Sequence, residues 1–304
     1  MKPATRAPEK TPVRLLELRP VGMFSNVLEV VERIRIADEQ GYAFRISWKN
    51  SLYAPEGYQS DPWSFFFQQP YGALARKPIS SDTAFASAKS VVCSTISCVI
   101  PCRENGNCDT AMFPKDPWVA NRIIEHYIRL NPNLVRRVAA VRKALFGGSE
   151  FIGLHLRGAR GVDGGNRRLR ALADATGPVP YSIYFRAVDA AIERYPSLPI
   201  LTCSDSSDVV DQVRKRYGER IITTNAIRTA QGEMHHAVGQ NPQLKAAALD
   251  LGYDVVVEAY LLSQSKVLIH GFSNVTRFAR LKSPDMQADF VYDRLDVPKD
   301  WYQT

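Results

Sequence analysis

An α/β fold of two doubly wound, Rossmann-like halves is the architecture this sequence predicts, and three observations predict it. The second half alternates short apolar runs with amphipathic stretches, the pattern of a parallel sheet covered on both faces. The first half opens on a strand–helix–strand unit. Between them the helical stretch 132–145 stops on two glycines, in the segment 146–149 (FGGS), and divides the chain there.

The elements follow in order. Residues 1–13 (MKPATRAPEKTPV) are polar and Pro-rich without the apolar stretch of a secretory signal, and are expected to be a loose tail. A strand is expected at 15–19, leading through VGMFSN at 21–26 into a helix whose core stripe is Val27, Val30, Val31 and Ile34. Gly41 ends that helix, and 42–48 returns as a strand with Phe44, Ile46 and Trp48 on one face. Residues 51–71 (SLYAPEGYQSDPWSFFFQQPY) are too aromatic for a disordered linker; they form either a packed surface subdomain or a sugar-stacking wall.

In the second half the strand 151–156 is followed by a helix over about 180–195 and a strand at 198–203. Ser207 or Asp208 then caps a helix with Val209, Val210, Val213 and Tyr217 inward, closed by Gly218. A strand at 220–223, a polar loop at 225–243, a helix over about 244–264, a strand at 266–270 and a last helix complete the alternation.

The bulk numbers bound the function. A length of 304 residues, 45% hydrophobic and 23% charged, suffices for a real core and about two domains. No run approaches the roughly 18 continuous apolar residues of a membrane span. Five cysteines, an odd number without a small secreted framework, suit a reducing compartment, so a cytoplasmic protein is expected. Cys93, Cys98, Cys102 and Cys108 lack the tight C-x2-C pairs of a zinc site and read as free thiols in or near a loop. A formal net charge of +8 favours a polyanionic partner: nucleotide phosphate, nucleic acid or an anionic membrane face. The densest basic run, 157–170, lies beside a predicted active loop, and nothing matches an RNA-binding signature with interleaved aromatics. Nucleic acid is therefore not expected, and peripheral membrane contact stays open.

Chemistry gathers where strands end, because ligands of doubly wound sheets sit beyond the carboxyl ends of the strands. In KVLIHGFSNVTRFAR (266–280) a strand turns at Gly271 into a helix with Ser273 at the N-cap, leaving unpaired N–H groups that suit a phosphate. The same pattern is also an ordinary capped corner. In FIGLHLR (151–157) His155 points to one face and Arg157 arrives as the strand runs out, placed to grip a diphosphate or to pair with a surface carboxylate. In TCSDS (202–206) Asp205 is either a hydrogen-bond acceptor for sugar or base, or a helix cap. Arg228, His235 and His236 lie in the polar loop, and Glu258 on the helix after it. No D-x-D pair is present to hold a metal–nucleotide complex.

With those stretches in hand, the order of motifs resembles the fucosyltransferase superfamily that includes α-1,6-fucosyltransferases, the bacterial nodulation fucosyltransferase and protein O-fucosyltransferases. GMFSN at 22–26, IGLHLRG at 152–158, LTCSDS at 201–206 and VVVEAYLLSQSKVLIHGFSNVTRFA at 255–279 carry it, the last being the most specific. The resemblance implies a GT-B-like fold with two Rossmann-like domains facing a cleft, an acceptor-side domain at 14–147 and a nucleotide-sugar-binding domain at 148–304. It implies a metal-independent, inverting glycosyltransferase that transfers fucose from GDP-fucose to a glycan or other polar acceptor, with no cofactor and no metal. By position, Arg157 would bind the β-phosphate and stabilise the leaving GDP, and His155 would orient the nucleotide. Ser273 and Asn274 would present the phosphate-binding helix start, Glu258 would contact the base, and Asp205 and Asn26 would face the donor. Two places depart from the pattern: Gly158-Ala159-Arg160 replaces an acidic element after the arginine, and Glu258 replaces an Asp. Asp163 and Glu233 are loop carboxylates within reach, and neither is assigned as a base. The alternative is a catalytically degenerate nucleotide- or glycan-binding protein on the same fold.

Overall fold

The structure is a computed structural model that describes residues 11–55, 57–76, 84–85, 117–158, 180–230, 232 and 234–294. The four clustered cysteines, Asp163 and Glu233 lie outside the described residues. Two parallel sheets organise the chain. In the first half β1 (Val13–Glu17), α1 (Met23–Gln40) and β2 (Ala43–Ser47) form the expected βαβ unit, and β3 (Ala84–Phe85) joins β1 on its other side, giving the order β2-β1-β3. Strand β1 starts two residues earlier than expected, while pairing still runs past its end, since Leu18 N–H donates to Ser47 O. Gly41 ends α1 in the left-handed region at φ 69°, a conformation glycine adopts without the steric cost of a Cβ.

The aromatic stretch mostly packs. Trp63, Phe66 and Phe67 are buried around the short α2 (Trp63–Phe66), while Tyr58 remains 47% exposed. Two helices follow, α3 (Pro117–Tyr127) and α4 (Pro132–Phe146). Asn131 caps α4 by accepting from Asn133 N–H, with Pro132 at the first helical position, and Gly147 closes it at φ 65°.

The second half carries β4 (Ile152–His155), α5 (Tyr181–Arg194), β5 (Ile200–Cys203), α6 (Ser207–Tyr217) and β6 (Ile221–Ile222). It continues with α7 (Met234–Gln240), α8 (Pro242–Ala246), α9 (Ala248–Leu262), β7 (Val267–His270), α10 (Asn274–Lys282) and β8 (Gln287–Phe290). The five strands are all parallel in the order β6-β5-β4-β7-β8. Alternation along them feeds two faces: Ile152, Leu154, Ile200, Val267 and Ile269 pack with α5, while Leu201, Cys203 and Leu268 join the cluster that holds α9 and α10. That second cluster continues through α1 and Trp48, so one apolar core runs across the two halves.

Three expectations change here. The cap of α6 is Ser206, whose Oγ accepts from Val209 N–H at 3.3 Å, rather than Ser207 or Asp208. The polar loop 225–243 contains α7. The helix expected at 244–264 is split, because Asn241 caps and Pro242 starts a separate short turn before α9 begins. Among the described residues no helix is long and apolar enough to cross a membrane.

Candidate donor cleft

The strand order sets the site. From β4 the chain winds outward through β5 to β6, then returns to the other side of β4 with β7, so the direction of winding reverses between β4 and β7. In an open α/β sheet that switch point opens a crevice at the carboxyl ends of the strands. Arg157 lies two residues beyond β4, Asp205 two beyond β5 and Ser273 three beyond β7, and all three line one cleft. The opposite wall comes from the first half: Gly22, Met23, Phe24 and Ser25 at the start of α1, with Tyr53. The cleft is open at its mouth, with about 820 Å³ of empty space when the adjoining open solvent is included.

Two helix N-termini therefore point into the same space. At α10, Ser273 is extended (φ −163°, ψ 141°), and its Oγ accepts from Val275 N–H at 3.2 Å. The remaining first-turn N–H groups have no intrahelical acceptor in any α-helix, and the helix dipole adds positive potential. Gly271 is needed here for close approach, since a Cβ would lie 2.2 Å from Tyr184 Oη. At α1, Met23 N–H donates to Tyr53 Oη at 3.2 Å, which ties the aromatic stretch to the cleft wall. Asn274 Nδ2 donates to Ser25 Oγ at 2.8 Å and joins the two helix starts across the seam.

Arg157 stands at this positive end with its Nη1 3.5 Å from Asp205 Oδ2 and its side chain 23% exposed. Asp205 Oδ1 also accepts Gly158 N–H at 2.8 Å. Asp205 thus fixes the turn after β4 and aims the guanidinium; it caps no helix. Gly232 closes over this corner, where a Cβ would lie 2.9 Å from both Asp205 Oδ1 and Gly158 Cα.

A second arginine–carboxylate pair forms the deeper wall. Arg228 Nη2 lies 3.0 Å from Glu258 Oε1, and the same guanidinium donates to the carbonyls of Ser204, Thr224 and Ala226. Burial pushes the Glu258 carboxyl up to about 7, against the opposing pull of Arg228 and the Thr224 hydroxyl, with Asp254 and Asp205 pushing it further up. Beside it Ala226, Ile227, Met234, Leu251 and Val255 give the cleft an apolar side.

Of the residues singled out in the sequence, Arg157, His155, Asp205, Glu258, Ser273 and Asn274 all line the cleft. Asn26 does not. It is fully buried, its Nδ2 donating to Arg19 O at 2.9 Å and its Oδ1 accepting Arg19 N–H, so it braces the loop before α1. Arg228 acts through Glu258 and three carbonyls rather than facing the cleft itself. The side chains of His235 and His236 lie outside the described residues. Sequence reasoning missed Asp254, which lines the cleft one turn before Glu258, accepts Ile227 N–H at 3.0 Å and pairs with Arg137 at 3.2 Å. Its i, i+4 spacing from Glu258 was the available signal. His270, the cross-strand neighbour of His155, is fully buried behind the cleft and does not line it. Burial lowers the His270 pKa to about 3, so the ring stays neutral, with Nδ1–H donating to Gly271 O. Among the described residues no three His, Cys, Asp or Glu side chains form a group that could hold a metal ion.

A family model for nodulation protein Z (NodZ) matches residues 83–297. The chain belongs to the NodZ family. The nodulation protein Z of Bradyrhizobium diazoefficiens is 27% identical over 191 residues, which are 58% of this chain and 46% of that protein. The chain spans about half the length of the curated NodZ relatives it matches. Among solved structures, a NodZ α-1,6-fucosyltransferase soaked with GDP-fucose superposes with a TM-score of 0.56 at 17% identity, covering 90% of this chain and 94% of that one. The same enzyme co-crystallised with GDP gives 0.55 at 18% identity, covering 90% and 93%. At such identities the likeness establishes the shared fold, of the GT-B type, for this NodZ-family chain.

Proposed function

We propose that this chain is a glycosyltransferase that moves fucose from GDP-fucose to a glycan or other polar acceptor, with inversion and without a metal ion. The observation that carries the reading is Arg157 standing beside two helix N-termini in one cleft. Membership of the NodZ family supports it, as do the GDP and GDP-fucose complexes of the NodZ enzyme that shares the fold.

The chemistry follows from charge. When the bond between fucose and GDP breaks, negative charge grows on the β-phosphate, and groups already aimed there lower the barrier without reorganising. Arg157 supplies a planar fork for two phosphate oxygens, the start of α10 supplies backbone donors, and both helix starts supply dipoles. To do so Arg157 exchanges Asp205 for phosphate. His155 and Glu258 border the same space, and the apolar side at Ala226, Ile227 and Val255 suits the flat face of a base. Inversion corresponds to a single displacement, with the acceptor hydroxyl attacking the face opposite the departing diphosphate. The division into an acceptor side at 14–147 and a donor side at 148–304 belongs to this proposal.

The test is to incubate the protein with GDP-fucose and acceptor mixtures in EDTA and to follow GDP release and product mass. Transfer that survives chelation supports the reading. GDP binding without turnover on any acceptor would favour a degenerate nucleotide-binding protein on this fold.

A further inference from the structure

Beyond β6 the cleft wall has no regular secondary structure, and side chains hold it instead. Residues 223–228 belong to no helix or strand. Polar backbone groups in such a segment still need partners where water is excluded. Arg228, which can only donate, meets the carbonyls of Thr224 and Ala226. The N–H side of the segment needs an acceptor, and Asp254 Oδ2 takes the Ile227 N–H at 3.0 Å. Asp254 and Glu258, the partner of Arg228, stand one turn apart on α9. One face of α9 therefore grips both kinds of backbone group. Ala226, Ile227, Asp254 and Glu258 all line the cleft.

Asp254 also reaches across to the first half of the chain. Its Oδ1 lies 3.2 Å from Nη2 of Arg137 on α4, and that guanidinium stands 5.3 Å over the Tyr253 ring. Arg137 itself is outside the cleft lining, with its side chain 43% exposed. Burial pushes the Asp254 carboxyl up, the Ile227 N–H and Arg137 draw it down, Asp250 pushes it up and Arg228 draws it down. The two groups that touch Asp254 thus both favour its charged form, the form that accepts hydrogen bonds best.

We propose that Asp254 is a positioning residue for the nucleobase: it holds Ile227 at the cleft wall through the backbone, and Arg137 steadies it from the first half. This rests on the nucleotide reading of the cleft, and the experiment separates the two. Calorimetry would measure GDP against wild type, Asp254→Ala, Asp254→Asn, Arg137→Ala and the Asp254→Ala/Arg137→Ala double variant, with hydrogen exchange followed at the Ile227 amide. GDP affinity should fall about tenfold in Asp254→Ala, as expected when a donor loses its acceptor. The Ile227 amide, protected in wild type, should exchange fast in that variant. Asp254→Asn should stay within about threefold of wild type, because its amide oxygen still accepts the Ile227 N–H. Arg137→Ala should weaken GDP about threefold, the size of a partly exposed ion pair, with an unchanged melting temperature. In the Asp254→Ala background it should weaken GDP no further, since Arg137 acts through Asp254. If Asp254→Ala does not fold, Asp254→Asn and Arg137→Ala carry the test. Wild-type GDP affinity in a folded Asp254→Ala or in Arg137→Ala would overturn the proposal. So would tenfold weakening in Asp254→Asn, or an Arg137→Ala effect of equal size in both backgrounds. Failure of wild type to bind GDP would instead overturn the nucleotide reading, while exchange at Ile227 still reports whether Asp254 holds the wall.

Discussion

Two arginine–carboxylate pairs stand at the same cleft, the second reaching it through Glu258 alone, and they are built differently. Arg157 and Asp205 sit 3.5 Å apart with side chains 23% and 16% exposed. Arg228 and Glu258 sit 3.0 Å apart at 12% and 11%, and Arg228 is further committed to three backbone carbonyls. The looser pair can open to admit an anion at little cost, because partly exposed ion pairs are worth about 1 kcal/mol or less. The tighter pair cannot, because withdrawing Arg228 would strand a buried carboxylate and several carbonyls. One pair is loosely held at the cleft surface, and the other holds the loop that shapes the deeper wall.

The largest way to break this contrast is Arg157→Ala. Transfer should fall by about two to three orders of magnitude, the usual cost of losing a group that stabilises developing charge. Its melting temperature should match wild type. A large loss of stability would mean that Arg157 is as structural as Arg228.

Arg228→Ala should show the reverse pattern. Denaturant unfolding should reveal a loss of about 3–5 kcal/mol, as expected when one partner of a buried pair is removed. Stability close to wild type would show that the deeper pair contributes little.

Glu258 sharpens the comparison through pH. Its folded pKa of about 7 lies above the ordinary value of 4.5, so between these values the folded protein holds a proton that the unfolded chain has lost. Stability from this group is present below about pH 4.5 and falls as pH rises towards 7. His270 works oppositely: with its pKa lowered from 6.5 to about 3, its contribution is present above 6.5 and is lost as pH falls through that window. Subtracting the Glu258→Gln profile from wild type isolates the first effect, by up to a few kcal/mol. Parallel profiles would show that Glu258 titrates normally.

The smallest effect is expected at Asp205→Asn. Removing the charge that competes for Arg157 should tighten GDP binding about threefold, while the amide oxygen still accepts Gly158 N–H. Weaker GDP binding would mean that Asp205 contacts the donor directly.

Local signals made much of this molecule legible. Gly41, Gly218 and Ser273 punctuate helices where the sequence placed them, and the strand–turn–helix pattern at 266–280 folds as expected. The cap at Ser206 was missed because three serines flank Asp205, and only the extended backbone of Ser206 selects it. Asn26 was misplaced because adjacency to a glycine-containing loop says nothing about which way a side chain turns. Here it turns back to Arg19 O. Strand β8 pairs with β7 along the edge of the sheet, and its residues Gln287, Ala288 and Asp289 carry little of the apolar signal that marked the inner strands. The Ser25–Asn274 bond joins residues far apart in sequence, so no local pattern announced it. What sequence conveys least is which polar groups meet across the seam, and the cleft is made of such meetings.

The central claim is that Arg157, released from Asp205, holds the diphosphate at the starts of α10 and α1. Titrating GDP in EDTA into wild type and Arg157→Ala by calorimetry tests it most directly. Wild type should bind, and Arg157→Ala, equally well folded, should bind at least about tenfold more weakly, as losing a charge-assisted pair requires. Equal GDP affinity in the two proteins would contradict the account.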